Sequence, residues 1–498
     1  MSTDLSSSTP GHPGAPAPDK LDRQVLVVAG VVVLGAIMSI LDITVVSVAL
    51  ETFQREFDAT TAQVAWTMTA YTLALASVIP LTGWASDRFG TKRLYLIAIA
   101  LFAAGSALCA VADSLEVLVA FRVLQGLGGG MLVPLGMTIL TRAAGPERIG
   151  RVMAVMGIPM LLGPIFGPII GGALIDNASW HWIFLINVPI GLVAIVYAAK
   201  VLPKDSVEPS ETFDWLGMVL LSPGLAAFLY GVSTIPETGT VWDAEVLVPA
   251  VVGVLLIAAF VPWALARSNK HPLVDLRLFA NGTMTVAVIA MSLFAIAFFG
   301  ASLLFPLYFQ NVRGEGALDA GLLLAPQGVG AMLVMPVAGV LSDKIGPGKI
   351  VLAGIAVITV GMGMFATLDA TTSYTFLMGA LFVMGLGMGA TMMPIMSAAL
   401  QTLRGHTVAR GSTLLNIVQQ VAASIGTAIF SVLLTNGIKN DVDMTSGNPV
   451  AIADDLAGVF SSTFWVATVM VAVVLLPAFF LPRRPPAEPV DQTALMGH

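Results

Sequence analysis

Long apolar runs govern what this chain can become. Fourteen of them, each 18 residues or more, recur from end to end, and a helical run of that length crosses about 30 Å of hydrocarbon. No water reaches backbone N–H and C=O groups there, so each run must satisfy its own hydrogen bonds as a helix. Composition agrees: 57% of the residues are hydrophobic and 11% charged, where a soluble domain carries about 25% charged residues. The alternation that would mark a transmembrane barrel is missing. The sequence predicts an all-α polytopic membrane protein. Its spans are placed at 24–50, 62–82, 93–112, 117–140, 150–174, 182–202, 214–234, 245–266, 284–309, 319–341, 350–368, 374–400, 411–436 and 459–481.

An even number of spans returns the chain to its starting side. With the N-terminus inside, 19 Lys and Arg fall in inner segments and three, Arg55, Arg313 and Lys439, in outer loops. Cytoplasmic loops carry such an excess, so both termini are expected in the cytoplasm. The outer loops are acidic. Sidedness alone produces much of that bias, and it would also draw protons or organic cations toward a vestibule. The first 20 residues are rich in Ser, Pro and Gly and hold no apolar stretch, which predicts a disordered tail, not a signal peptide. Cys109 is the single cysteine, so no intrachain disulfide forms.

One dense knot of charge, "GWASDRFGTKR" at 83–93, interrupts the apolar pattern, and it is written twice. "PLTGWASDRFG" at 80–90 and "PVAGVLSDKIG" at 336–346 both fit P-x-x-G-x-x-S-D-[RK]-x-G, 256 residues apart. "GLGGG" at 126–130 and "GLGMG" at 385–389 repeat with an offset of 259. Near-equal offsets at two places mean an internal repeat. The chain divides into a tail (1–23), a six-helix half (24–202), a two-helix insert (203–283), a second six-helix half (284–481) and a tail (482–498). Two such halves around a central path are the plan of secondary transporters. In the first copy Gly83 allows close helix approach and Gly90 a tight turn. Asp87 is expected near the start of the third helix as a cap, and Arg88, Lys92 and Arg93 hold the loop in the cytoplasm. The second copy supplies Gly339, Asp343, Lys344 and Gly346, with Gly348 and Lys349 where the first has Lys92 and Arg93. The first copy is therefore expected to carry most of the gating, with Asp87→Asn more damaging than Asp343→Asn.

These residues give the sequence a resemblance to the major facilitator superfamily, in its fourteen-helix drug:proton antiporter branch. The loop is similar to that family's G-x-x-x-D-R-x-G-x-[RK]-[RK] signature, and the resemblance implies a cytoplasmic gate at these positions.

Two charges clearly sit inside spans, Asp42 in "ILDITVVSVAL" and Arg122 in "FRVLQGLGGG". Charge within a bilayer is costly and marks function by default. Counting from the outer ends, Asp42 lies about 12 Å deep and Arg122 about 9 Å at 1.5 Å per residue, so the two are expected to pair. A cation favours the charged acid and burial disfavours it. Asp42 is read as the carrier of the coupling proton and Arg122 as its modulator; a static structural pair is the alternative. The resemblance agrees, since "LDITVVSVAL" is similar to the branch's L-D-x-T motif and "FRVLQG" to its R-x-x-Q-G motif. Ser47 and Glu51 depart from that pattern, and Leu381 takes the place of Arg122 in the second half.

The fifth span contains "GIPMLLGPIFGPIIGG". Gly163, Gly167 and Gly171 share one helical face, Pro164 and Pro168 each remove a backbone donor, and Gly157 and Gly172 flank them. The string resembles the motif of the family's antiporters, which implies export over uptake. "WHWIFLINVPIG" at 180–191 resembles a further signature of the branch. Candidates for the substrate path are the polar and aromatic residues within spans: Trp66, Tyr71, Gln125, Phe305, Tyr308, Gln327, Asn416, Gln419 and Gln420, since polar side chains in spans face the interior or a wet cavity. Lacking a second buried carboxylate, the path suits lipophilic neutral or monocationic compounds.

No histidine falls within a span, and no zinc-protease, serine-hydrolase or phosphate-loop string appears. An enzyme is therefore the remote alternative, and no metal or cofactor is expected beyond the proton gradient. Export of one endogenous lipid or metabolite by the same mechanism is the nearer alternative. The expected partners are small lipophilic substrates, protons and membrane lipids, without nucleic acid. The expected form is a monomer, open to an accessory partner, in the cytoplasmic membrane of a bacterium.

Overall fold

The computed structural model describes residues 22–145, 148–205, 212–238, 240–403, 407–442 and 448–484; the two predicted tails fall mostly outside them. All regular structure among these residues is helical. The helices are α1 (Arg23–Glu56), α2 (Thr61–Phe89), α3 (Thr91–Cys109), α4 (Leu115–Ala144), α5 (Ile149–Asn177), α6 (Trp182–Val201), α7 (Trp215–Thr238), α8 (Ala244–Leu265), α9 (Gly282–Asn311), α10 (Asp319–Ile345), α11 (Pro347–Ala366), α12 (Tyr374–Leu400), α13 (Thr407–Asp441) and α14 (Pro449–Ala478). Thirteen helices of the described residues are long and apolar enough to cross a membrane, and α5 adds a helix of 29 residues. Several run past their apolar stretch, α1 to Glu56 and α2 to Phe89. Hydropathy stops at the membrane surface, whereas the backbone ladder continues until a glycine or a cap ends it.

The repeat is visible in the packing as well as in the sequence. α4 lies between α2 and α3 because its glycines remove side chains where backbones meet. A Cβ on Gly126 would stand 2.6 Å from the carbonyl oxygen of Tyr71, on Gly130 2.5 Å from that of Leu75, and on Gly128 2.5 Å from the amide of Phe102. α12 repeats this between α10 and α11: Gly385 meets the Gln327 carbonyl, Gly389 the Ala331 carbonyl and Gly387 the Ile358 amide. Each glycine is displaced by 259 and each partner by 256, the offsets of the two motifs. A third pair follows the same offsets without any sequence signature. Gly167 of α5 meets Thr44 of α1, and Gly426 of α13 meets Gly300 of α9. Beside Gly300 the second half carries a π-turn, Ala295–Phe299, in the stretch that corresponds to Asp42 in the first.

The insert is fastened at one end. Asp214, buried just before α7, accepts the Gly217 amide at 2.8 Å, the Trp263 indole N–H at 2.7 Å, the Asn269 amide at 3.1 Å and the Leu273 amide at 3.0 Å. One carboxylate thus ties α7, the end of α8 and the segment leading to α9. α7 packs on both α2 and α13, while α8 packs on α7 and turns Val248 and Leu255 outward, 61% and 62% exposed. An apolar face turned outward suits lipid.

Candidate functional site

Asp42 and Arg122 are a direct pair, with guanidinium Nη1 2.5 Å from carboxylate Oδ2 and neither side chain exposed. They are held from five helices. Gln125, one turn along α4, donates to Asp42 Oδ1 at 2.7 Å and accepts from Arg122 Nη1 at 2.8 Å. Asn187 at the break in α6 donates to the same Oδ1 at 3.3 Å and to Ser106 Oγ of α3 at 3.1 Å. Arg122 Nε donates to the Thr67 carbonyl of α2 at 2.9 Å. Nη2 has no hydrogen-bond partner among the described residues, but the guanidinium carbon lies 4.1 Å from the centre of the Tyr71 ring, where a desolvated cation gains on the order of 2 kcal/mol from the π face. Tyr71 is fixed in turn by Ser39, hydroxyl to hydroxyl at 3.2 Å. A buried ion pair persists only with such geometry and with its remaining donors and acceptors met. Here the carboxylate accepts three hydrogen bonds, from Arg122, Gln125 and Asn187.

α5 sets the position of α1 at this point. A Cβ on Gly163 would stand 2.2 Å from Ile40, on Gly167 2.0 Å from Thr44 Oγ1, and on Gly171 3.2 Å from Val45. Thr44 Oγ1 also donates to the Gly163 carbonyl at 3.1 Å. The residues of α1 that press on the glycine face therefore bracket Asp42. Gly172 meets nothing within 4 Å; the side chains of Pro164 and Pro168 lie outside the described residues. At its other end α5 is gripped by the second half. Gly157 abuts Met335 of α10. Asp343, in the last turn of α10, accepts the Gly150 amide at 2.9 Å and the Arg151 amide at 3.2 Å, with Arg151 Nε 3.5 Å away. The second copy of the charge knot is thus an N-terminal cap that crosses from one half to the other.

The first copy crosses in the opposite direction. Gly83 lies against Thr413 and the Arg410 backbone of α13, and the hydroxyls of Thr82 and Thr413 are 2.9 Å apart. Asp87 pairs with Arg142 of α4 at 3.3 Å and with Arg410 of α13 at 3.9 Å. This corrects the expected cap. Asp87 belongs to the last turn of α2, and Arg142 links its carboxylate to the Thr91 hydroxyl at the start of α3, to which it donates at 2.9 Å. Asp205, just after α6, takes the capping role and accepts the amides of Lys92 and Arg93 at 2.7 and 3.1 Å. Lys92 Nζ donates to the carbonyls of Ala199 and Leu202, both at 2.7 Å. Gly90 and Gly346, at φ of 93° and 91°, make the two equivalent turns. Arg88 is half-buried, and Arg93 and Lys344 are exposed.

The geometry also bears on the expected order of the two aspartates. Asp343 holds backbone amides of the facing half, while Asp87 faces two arginines at longer range. Hydrogen bonds to a charged group are worth about 1.5–3 kcal/mol each, so Asp343→Asn should open this end at least as much as Asp87→Asn. A cysteine at Thr413, 1% exposed, reports it, because native Cys109 is buried. Labelling by a polar thiol reagent should accelerate about tenfold or more in Asp343→Asn. Faster labelling in Asp87→Asn would restore the order expected from sequence.

The substrate-path candidates scatter. Tyr71 and Gln125 belong to the Asp42 cluster. Phe305 is 1% exposed and packs its ring 5.0 Å from Phe365 and 4.9 Å from Phe464. Tyr308 is buried beside it and donates to the Asp369 carbonyl at 2.8 Å. Both belong to the buried core of the second half. Asn416 donates to Met137 Sδ of the first half at 3.2 Å. Gln327, Gln419 and Gln420 are half-buried. Trp66 lies outermost, stacked on Tyr230 of α7. Asn187, Ser106, Thr67 and Asp205 escaped the sequence reading. The first three are uncharged and common in spans, and Asp205 sits in an ordinary charged loop; only "INVPIG" carried a hint.

Two repeat-related halves, each gripping the other through a copy of one motif, with a buried ion pair in one of them, define a transporter and not an enzyme. The model of the Major Facilitator Superfamily matches residues 32–427, and the chain belongs to that family. The "Multidrug resistance protein B homolog" of Mycobacterium tuberculosis is 48% identical over 496 residues, covering 94% of this chain and 92% of the relative. The "Multidrug export protein EmrB" of Escherichia coli (strain K12) is 32% identical over 412 residues, covering 81% and 79%. Among solved structures, the human organic anion transporter MFSD10 superposes with a TM-score of 0.63 at 16% identity, over 92% of this chain and 100% of that one. The proton:xylose symporter XylE gives 0.63 at 16%, over 95% and 99%. These two show the same fold. The protein is a multi-pass protein of the cell membrane, with bacterial relatives.

Proposed function

We propose that this protein exports lipophilic neutral or monocationic compounds in exchange for protons, with fourteen spans and both termini in the cytoplasm. The observation that carries the proposal is the buried Asp42–Arg122 pair, set against the glycine face of α5. α5 touches both the gate and the proton site: Asp343 grips one end, and Ile40, Thr44 and Val45 ride on its middle. Release of the gate frees that end of α5. A shift of α5 moves α1, parts Asp42 from Arg122 and lets the carboxylate take a proton; reclosure returns the pair and expels it. Efflux is favoured over uptake because relatives of 48% and 32% identity are named for multidrug resistance and multidrug export. No bound cofactor enters this scheme; the proton gradient supplies the energy.

Everted membrane vesicles containing the protein test this reading. With an acidic interior, they should accumulate a lipophilic monocation such as ethidium, and a proton-exchanging ionophore that removes the pH gradient should stop it. Accumulation that persists without the gradient would refute the proposal.

A further inference from the structure

A cleft at the end of α2 opposite the gate has no part in the scheme above. It lies between the start of α2, the end of α7 and the start of α8 and encloses about 210 Å³. Trp66, 43% exposed, forms one wall and stacks on Tyr230, ring centres 5.6 Å apart and 26° from parallel. Ser233 and Thr234 line the cleft, yet their hydroxyl protons are committed to the carbonyls of Leu229 and Tyr230 at 2.6 and 2.9 Å. They therefore offer only oxygen lone pairs to an occupant. Glu245 adds a carboxylate that forms no ion pair among the described residues, and no Lys or Arg lines the space.

Aromatic rings, hydroxyl oxygens (Thr69 included) and one carboxylate, with no Lys or Arg among the described lining residues, make a site for positive charge. A hard metal ion would need six or more converging oxygens or its own waters, whereas a substituted ammonium gains from contact with the two aromatic rings, Trp66 and Tyr230, among the lining residues. We propose that the cleft binds the ammonium head of an organic cation, with Trp66 and Tyr230 as its aromatic platform and Glu245 as its counter-ion. The same head group occurs on soluble alkylammonium compounds and on phosphatidylethanolamine in the bilayer.

Full-length protein in phosphatidylglycerol nanodiscs, titrated calorimetrically with benzyltrimethylammonium, tests this without reference to proton coupling. Saturable binding is expected. It should weaken about tenfold in Trp66→Leu and about fivefold in Glu245→Gln, recover in Trp66→Phe, and stay unchanged in Lys270→Ala at the far end. Replacing half the lipid by phosphatidylethanolamine separates the sources: competition identifies a lipid head group as occupant, and unchanged affinity a soluble cation. Absence of binding, or equal binding in wild type, Trp66→Leu and Glu245→Gln, overturns the proposal.

Discussion

Asp42→Asn should lower proton-driven export about 100-fold or more while leaving a protein that still folds. Asparagine matches the carboxylate in shape, so its carbonyl oxygen can still accept from both Gln125 and Asn187, which share Oδ1, while the bond from Arg122 to Oδ2 is lost. It carries no titrating proton at physiological pH, and the exchange loses its counter-ion. Removing one partner of a buried pair costs about 3–5 kcal/mol, so a lower melting temperature is expected too. Arg122 retains the Thr67 carbonyl, Gln125 Oε1 and the Tyr71 ring, which keeps the loss short of unfolding. The double variant Asp42→Asn/Arg122→Gln separates the effects: stability should recover, because no unpaired charge remains buried, and export should not. Export that returned together with stability would make the pair structural.

The largest effect on folding is expected from single methyl groups. Gly385→Ala places a Cβ 2.0 Å from the Gln327 carbonyl oxygen, and Gly126→Ala one 2.6 Å from that of Tyr71. Both neighbours are helix backbone and cannot turn aside. Overpacking of this kind costs about 1–3 kcal/mol where neighbours yield and more where they do not, and here two helices must separate along their length. Each variant should give little monodisperse protein on size exclusion. Gly379→Ala, where nothing lies within 4 Å, should behave as wild type or slightly better, since alanine favours helix over glycine. Equal yields of Gly385→Ala and Gly379→Ala would contradict the close-packing account.

Hydropathy exposed the thirteen apolar helices found among the described residues because the bilayer leaves apolar helices as the main solution. The two halves showed through Gly90/Gly346 and Asp87/Asp343, residues that a left-handed turn and a charged contact between helices call for. Asp42 and Arg122 were legible as a pair because charges in spans are rare. Their setting was not: Asn187 and Thr67 look like ordinary span residues until five helices converge. Direction was the other failure. A motif at a helix boundary does not say which side of the boundary it serves, so Asp87 was assigned to α3 although it ends α2. Phe305 and Tyr308 were legible only as aromatic residues within spans, and packing adds that they sit in a buried aromatic cluster. The correspondence of Gly167–Thr44 with Gly426–Gly300 has no sequence signature, because close approach needs small residues but not the same ones.

Proton movement during substrate exchange tests the central claim most directly. Wild-type and Asp42→Asn proteins would be reconstituted in liposomes containing a pH-sensitive dye, and an outward gradient of a lipophilic monocation imposed without any pH gradient. The account predicts that substrate leaving wild-type liposomes drives protons inward, acidifying the lumen, and that Asp42→Asn abolishes this acidification. Substrate exit without acidification, or the same acidification in both proteins, would contradict it.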